Sequence, residues 1–213
     1  MKPHAVFFDL DSTLSKIEGL DWIAEKKGVG ERMKEITRKA MNGEMDIPSA
    51  LKEKMNTIAP SKEEFIELGK TYINSLVQNA KELVAALHKK NYTVGIVTGS
   101  FFLPASIVGK ELGIPEECIF ANTIYFDERG CYTGYDPTNP LETNTGKAEV
   151  IKKIKDNFES ITFVGDGVTD LATLPFVTTF IGFGGIEERQ SVKEKAKHYI
   201  TSPDLLQVLS FIP

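Results

Sequence analysis

The chain has 213 residues, more than one average domain and less than two, and its 41% hydrophobic and 26% charged residues exclude a disordered polymer. A formal net charge of −5 excludes a nucleic-acid binder working through a broad basic surface, because that mode needs clustered Lys and Arg to displace phosphate counterions. No run approaches the ~18 apolar residues of a membrane span, and the first residues lack the long apolar region of a signal peptide.

In chain order, the first strong signal is the apolar run "AVFF" at 5–8, which ends in Asp9 and Asp11 and is followed at once by Ser12 and Thr13. Folding alone gives no reason for two carboxylates at that place. From about residue 16 to 75 no strand is evident. Instead "LDWIAEKKG", "ERMKEITRKAMNG", "IPSALKEKMNTI" and "EFIELGKTYINSL" repeat apolar residues at helical spacing, and the last follows an N-cap signal, "APSKEE". Next come a helical pattern, "NAKELVAALHKKN", and a second buried strand, "TVGIV" (93–97), followed by Thr98, Gly99 and Ser100. The stretch "NTIYFDERGCYTGYD" alternates around a turn at Asp127–Gly130 and reads as a β-hairpin. A helix opening near Lys147 in "TNTGKAEVIKK" precedes a third strand, "ITFV" (161–164), then "GDGVTD" and a fourth strand, "TTFI" (178–181).

Strands alternating with helices indicate an α/β fold, a Rossmann-like parallel sheet core flanked by helices. Residues 1–15 and 76–213 are expected to form that core, 16–75 an inserted helical-bundle cap domain, and the hairpin a second, smaller insertion. Cys118 and Cys131 have no metal-ligand spacing and are too few for a disulfide framework. They point to a reducing compartment, and the expected location is the cytoplasm.

In a parallel sheet the residues just after each strand share one crevice. Here that crevice collects Asp9, Asp11 and Thr13, then Thr98, Gly99 and Ser100, then Asp166, Thr169 and Asp170. Four carboxylates in a partly dry cleft repel one another strongly, so a cation is required. All-oxygen donors without His or Cys favour Mg²⁺. Phosphoryl transfer is the matching chemistry. Asp9 is placed to attack phosphorus, Asp11 to protonate the leaving oxygen, and Thr98, Gly99 and Lys147 to hold phosphoryl oxygens.

These motifs resemble the haloacid dehalogenase superfamily, whose four signatures are similar to "DLDST", "VTGS", Lys147 and "GDGVTD". Within it the chain resembles the phosphoserine phosphatase family from about residue 6 to 201, through "EGLDWIA", "TRKAMNGEM", "ALKEKM", "IFANTIYF", "GYDPTNP", "GKAEVIKKIK" and "FIGFGG". The resemblance implies hydrolysis of O-phospho-L-serine, the last step of serine biosynthesis. It gives Asp9, the carbonyl of Asp11 and Asp166 as metal ligands, with Asp170 acting one step behind them. It also implies that Glu18 receives the substrate ammonium, that Met41 walls the leaving group, and that Thr169 lies beside the substrate. Three positions depart from the pattern. Lys54 replaces an Arg that forks onto the substrate carboxylate, Asn42 replaces a Gly near the substrate, and Thr-Gly-Ser replaces Ser-Gly-Gly at 98–100.

The alternatives are another small phosphomonoester or a phosphotransferase on the same scaffold, a dehalogenase, and a non-enzymatic phospho-receiver domain. The receiver predicts about 120 residues without a cap, and a dehalogenase is expected to lack Asp11 and the metal. The expected partner is a small phosphomonoester, with no nucleic acid or membrane, and the chain itself is expected to be a monomer or homodimer.

Overall fold

The computed structural model describes residues 2–212. Strand β1 (His4–Phe8) leads through a wide turn into four helices, α1 (Gly19–Lys26), α2 (Gly30–Met41), α3 (Ile47–Ile58) and α4 (Lys62–Asn74). Helix α5 (Ala80–Lys89), strand β2 (Thr93–Phe101), helix α6 (Phe102–Leu112) and strand β3 (Ile119–Asn122) follow. A hairpin of β4 (Ile124–Phe126) and β5 (Tyr132–Tyr135) precedes α7 (Gly146–Ile154), β6 (Ser160–Gly165), α8 (Val168–Leu171), β7 (Thr179–Phe183), α9 (Gln190–Lys195) and β8 (His198–Ile200).

Six strands form one parallel sheet in the order β3-β2-β1-β6-β7-β8, with β1 in the middle. Because a strand's side chains alternate between its faces, β1 feeds two apolar layers. Val6 and Phe8 join Ile96, Val164 and Leu83 in one layer, while Ala5 and Phe7 join Val97, Ile151 and Phe163 in the other. Burying a Phe of this kind stabilises the fold by roughly 1.5–3 kcal/mol. The strand that ends in the paired carboxylates is therefore held between two neighbours and two apolar layers, and every C-terminal strand end lies along the same edge of the sheet.

Two of the helices between β1 and β2, α3 and α4, start where a side chain satisfies their free N–H groups. Asp46 accepts from Ser49 N at 2.9 Å with Pro48 in the first turn of α3. Ser61 and Glu64 form a reciprocal capping box on α4. The segments entering and leaving this helical unit meet at one place. Ser15 and Leu76 form an antiparallel bridge, Lys16 N donates to Ser75 O and Val77 N to Leu14 O, each at 2.9 Å.

Two strands of the sheet, β3 and β8, are absent from the sequence reading. They are four and three residues long, too short for an alternation pattern to register. The "IFAN" segment joins the parallel sheet, and only the residues after it form the hairpin, which turns at Asp127–Gly130 as expected. Strand β2 also runs farther than expected, to Phe101, after a register shift between Val97 and Phe101. Thr98 to Ser100 thus belong to the strand's irregular end. Among the described residues no helix is long and apolar enough to cross a membrane. Cys118 and Cys131 are free thiols, half-buried and exposed respectively.

Candidate active site

After Phe8 the backbone enters the turn Leu10–Leu14, in which Asp9 Oδ1 accepts from Leu10 N at 2.7 Å and Ser12 adopts φ +52°. A left-handed serine costs energy and persists only where its surroundings demand it. Here the Ser12 hydroxyl donates to Glu18 Oε1 at 2.7 Å. The turn sets both Asp9 and Asp11 on the wall of a cavity of about 100 Å³, a small volume suited to a small ligand.

Opposite, Asp166 just after β6 and Asp170 on α8 approach Asp9 closely enough that one oxygen from each lies within 4.8 Å of the others. Lys147, at the start of α7, reaches Asp9 Oδ2 at 2.8 Å and Asp170 Oδ1 at 2.7 Å. Asp170 Oδ2 also accepts from Gly167 N at 2.8 Å, so this carboxylate both braces the turn and holds the lysine. Arg189 donates through Nε to Asp166 Oδ2 at 2.8 Å and faces Glu18 Oε1 at 3.5 Å. Thr13 adds a 3.3 Å hydrogen bond to Asp166 Oδ1.

The electrostatics follow from this crowding. Burial pushes Asp166 up to about 8 even though Arg189 pulls the other way, and Asp9 and Asp170 add to the rise. Asp170 is raised to about 6 by burial, partly offset by Lys147. Burial, then Glu18 and Asp9, lift Asp11 well above the ordinary aspartate range, and burial likewise raises Glu18 against the pull of Arg189 and Lys54. Burial disfavours the Lys147 ammonium, but Asp170 and Asp9 outweigh it and its pKa lies above the usual lysine value. Buried carboxylates outnumber the cations among them, which is a donor set fit for a hard divalent cation. Asp9, Asp166 and Asp170 supply oxygens of the type such a cation takes.

Of the residues expected from sequence, Asp9, Asp11, Glu18, Met41, Lys54, Gly99, Lys147, Asp166 and Thr169 all line the cavity. Thr98 does not. It is fully buried behind the wall, where its Oγ1 accepts from Ser100 N at 3.0 Å. Lys54 is on the wall, yet its ammonium is already engaged, with Asp21 Oδ1 at 2.7 Å and with the Thr37 hydroxyl. Asn42 is exposed and turns to Glu44, away from the cavity, so the extra side chain expected near the substrate is not there.

Two participants were missed. Arg189 follows β7 by six residues, and the strand-end rule that found the aspartates reaches it if extended to that strand. Tyr72 gave no signal, because with Phe65 and Leu68 it falls on the buried stripe of α4 and reads as core. Its hydroxyl nevertheless donates to Asp11 Oδ1 at 2.5 Å.

Residues 3–175 match the haloacid dehalogenase-like hydrolase family. The chain is 39% identical to human phosphoserine phosphatase over 207 residues, covering 96% of this chain and 91% of that protein. Two solved structures superpose on it with a TM-score of 0.87 at 27% identity and full coverage of both chains. One is a phosphoserine phosphatase with substrate bound and the other a phospho-aspartyl intermediate analogue of phosphoserine phosphatase.

Proposed function

The chain belongs to the haloacid dehalogenase-like hydrolases, and from that premise we propose that it is a Mg²⁺-dependent phosphatase that hydrolyses O-phospho-L-serine to L-serine and phosphate. The observation that carries the reading is the meeting of Asp9, Asp166 and Asp170 with Lys147 at the sheet edge, with Asp11 two residues from Asp9 on the same cavity.

Asp9 is the nucleophile. Its carboxylate oxygen bonds to phosphorus as the bond from phosphorus to the seryl oxygen breaks, and Asp11 gives a proton to that departing oxygen. Water then attacks the phosphorus of the aspartyl phosphate, Asp11 takes the water's proton, and Asp9 is released. Lys147 holds a phosphoryl oxygen and keeps Asp9 oriented, Gly99 allows close backbone approach, and Thr98 Oγ1, which accepts from Ser100 N, braces the strand end behind them. Asp9, Asp166 and the carbonyl of Asp11 would hold the cation, with Asp170 bracing Lys147 and the Gly167 turn behind them. When bound, Mg²⁺ supplies positive charge against the phosphoryl oxygens.

Substrate selection falls to the helical unit 16–75, read as a cap over the core formed by 1–15 and 76–213. The bridge between Ser15 and Leu76 supports that division, since the two connections cross there side by side. Glu18 receives the substrate ammonium, Met41 and Thr169 flank the serine carbons, and Lys54 faces the carboxylate. We place the enzyme in the cytoplasm.

The test is phosphate release at catalytic enzyme concentration from phosphoserine, phosphothreonine, phosphoethanolamine and p-nitrophenyl phosphate. Phosphoserine is expected to give the highest kcat/KM. No advantage for it refutes the substrate, and absence of turnover on every compound refutes the phosphatase.

A further inference from the structure

Asp11 is held in an uneven way. Its Oδ1 accepts two hydrogen bonds, from Gly19 N at 2.7 Å and from the Tyr72 hydroxyl at 2.5 Å, and no donor among the described residues contacts its Oδ2. Tyr72 is fully buried on α4, and its oxygen also lies 3.2 Å from Ser100 Oγ at the end of β2. A phenol has one hydrogen, and it is spent on Asp11, so Ser100 is the donor in the second bond. The result is a directed chain, Ser100 to Tyr72 to Asp11, drawn from three separate elements. The site is shaped for it on the other side as well. A Cβ on Gly19 would stand 2.0 Å from the Tyr72 hydroxyl, so the residue that gives the backbone N–H must also lack a side chain.

From this geometry we propose that Tyr72 is a positioning residue of the reaction, whose hydroxyl locks the Asp11 carboxyl so that Oδ2 alone serves the reacting atoms. This rests on the assignment of Asp11 as the acid and base. With two donors directed at Oδ1, the proton that Asp11 carries can reside only on Oδ2. As the bond between Asp9 and phosphorus forms and the seryl oxygen departs with its electron pair, that oxygen takes the Oδ2 proton and Asp11 becomes a carboxylate. In the second half the attacking water returns a proton to Oδ2. Without the phenol, only the Gly19 amide fixes the carboxyl, which is then free to rotate and to place its proton on the wrong oxygen. Misplacement of a proton donor by a rotamer is enough to cost much of what general acid catalysis supplies.

The test uses the full-length protein with Mg²⁺ and compares Tyr72→Phe with wild type on phosphoserine and p-nitrophenyl phosphate. The value read is kcat/KM, which covers steps up to departure of the first product. The seryl oxygen needs a proton to leave, whereas nitrophenolate leaves without one. Tyr72→Phe is therefore expected to lower kcat/KM for phosphoserine by about tenfold or more and that for p-nitrophenyl phosphate by no more than about twofold. A drop of equal size on both substrates, or none on either, overturns the proposal. An independent arm repeats the substitution in an Asp11→Asn background, where it is expected to add less than about twofold, because the group it positions is gone. A further large loss there means that Tyr72 supports the fold in general, and the proposal fails. If wild type shows no preference for phosphoserine, only the substrate assignment falls. The same comparison is then made with the best alkyl phosphate of the panel.

Discussion

Lys54 stands at the junction between recognition and stability. Its ammonium is 2.7 Å from Asp21 Oδ1, both side chains are buried, and the Thr37 hydroxyl donates to Asp21 Oδ2 at 2.5 Å. Removing one member of such a pair leaves a buried, uncompensated charge, a loss of about 3–5 kcal/mol. Lys54→Ala is thus expected to lower Tm and also to raise KM for phosphoserine on the order of tenfold, as loss of a charge-assisted contact implies. The two effects separate in the double variant Asp21→Asn/Lys54→Ala, which carries neither charge. Melting curves should show most of the stability restored, while KM for phosphoserine stays high and KM for p-nitrophenyl phosphate, which has no carboxylate, stays near wild type. Recovery of both Tm and KM in the double variant would remove Lys54 from substrate recognition. Sequence revealed that a cation belongs at this position, but not that it arrives already paired. Asp21 and Thr37 lie 33 and 17 residues away in sequence, and only packing of α1 and α2 against α3 brings them to it.

At the scale of elements, the site depends on where α7 begins. Lys147 is useful only if the helix start is fixed, and it is fixed by Gly146. A Cβ there would lie 1.8 Å from Pro140 O, 2.4 Å from Pro140 C and 2.7 Å from Leu141 Cα, all backbone atoms that cannot swing aside. Gly146→Ala must therefore push α7 away from the turn at Pro140–Glu142. Overpacking of this kind costs about 1–3 kcal/mol or more, and an ångström of displacement at Lys147 is worth on the order of 100-fold in kcat. Both losses should appear together in thermal melts and steady-state kinetics. A variant with unchanged Tm would show that the helix is positioned by something else. The helix and its lysine were legible in sequence from apolar periodicity, whereas the turn that seats them was not, because it has no period to read. The same limit explains β3 and β8, short strands recognisable only once their neighbours are in place. It also explains Thr98, whose position behind the wall follows from the irregular end of β2. The central strands and the four helices were legible because each carries a full period of buried residues.

Over the whole molecule the decisive quantity is the charge gathered at one sheet edge. Asp9, Asp11, Glu18, Asp166 and Asp170 share a small volume in which Lys147 and Arg189 are the cations bonded to them. Without a metal the fold tolerates this partly by holding protons. Asp166 titrates at about 8 and Asp170 at about 6, against 3.8 for an ordinary aspartate. Between pH 4 and 8 the folded state consequently binds protons that the unfolded chain does not, and stability must fall as pH rises through that window. A divalent cation requires the same oxygens deprotonated, so protons compete with it and its stabilising effect grows with pH. In a chelator, Tm is expected to decline from pH 6 to pH 8. Magnesium at about a hundred times its dissociation constant adds ~2.7 kcal/mol, or about 5–10 °C for a chain of this length, and that increment should be large at pH 8 and much smaller at pH 6 for the same added concentration. Asp166→Asn carries no proton to lose at that position and should flatten the chelator curve while abolishing most of the magnesium shift. An equal shift at both pH values in the wild type would mean that the cation binds elsewhere than at these carboxylates. The residues that make the metal-free fold acid-stabilised are then the ones that make it dependent on the metal at neutral pH, which ties the stability of the sheet edge to its chemistry.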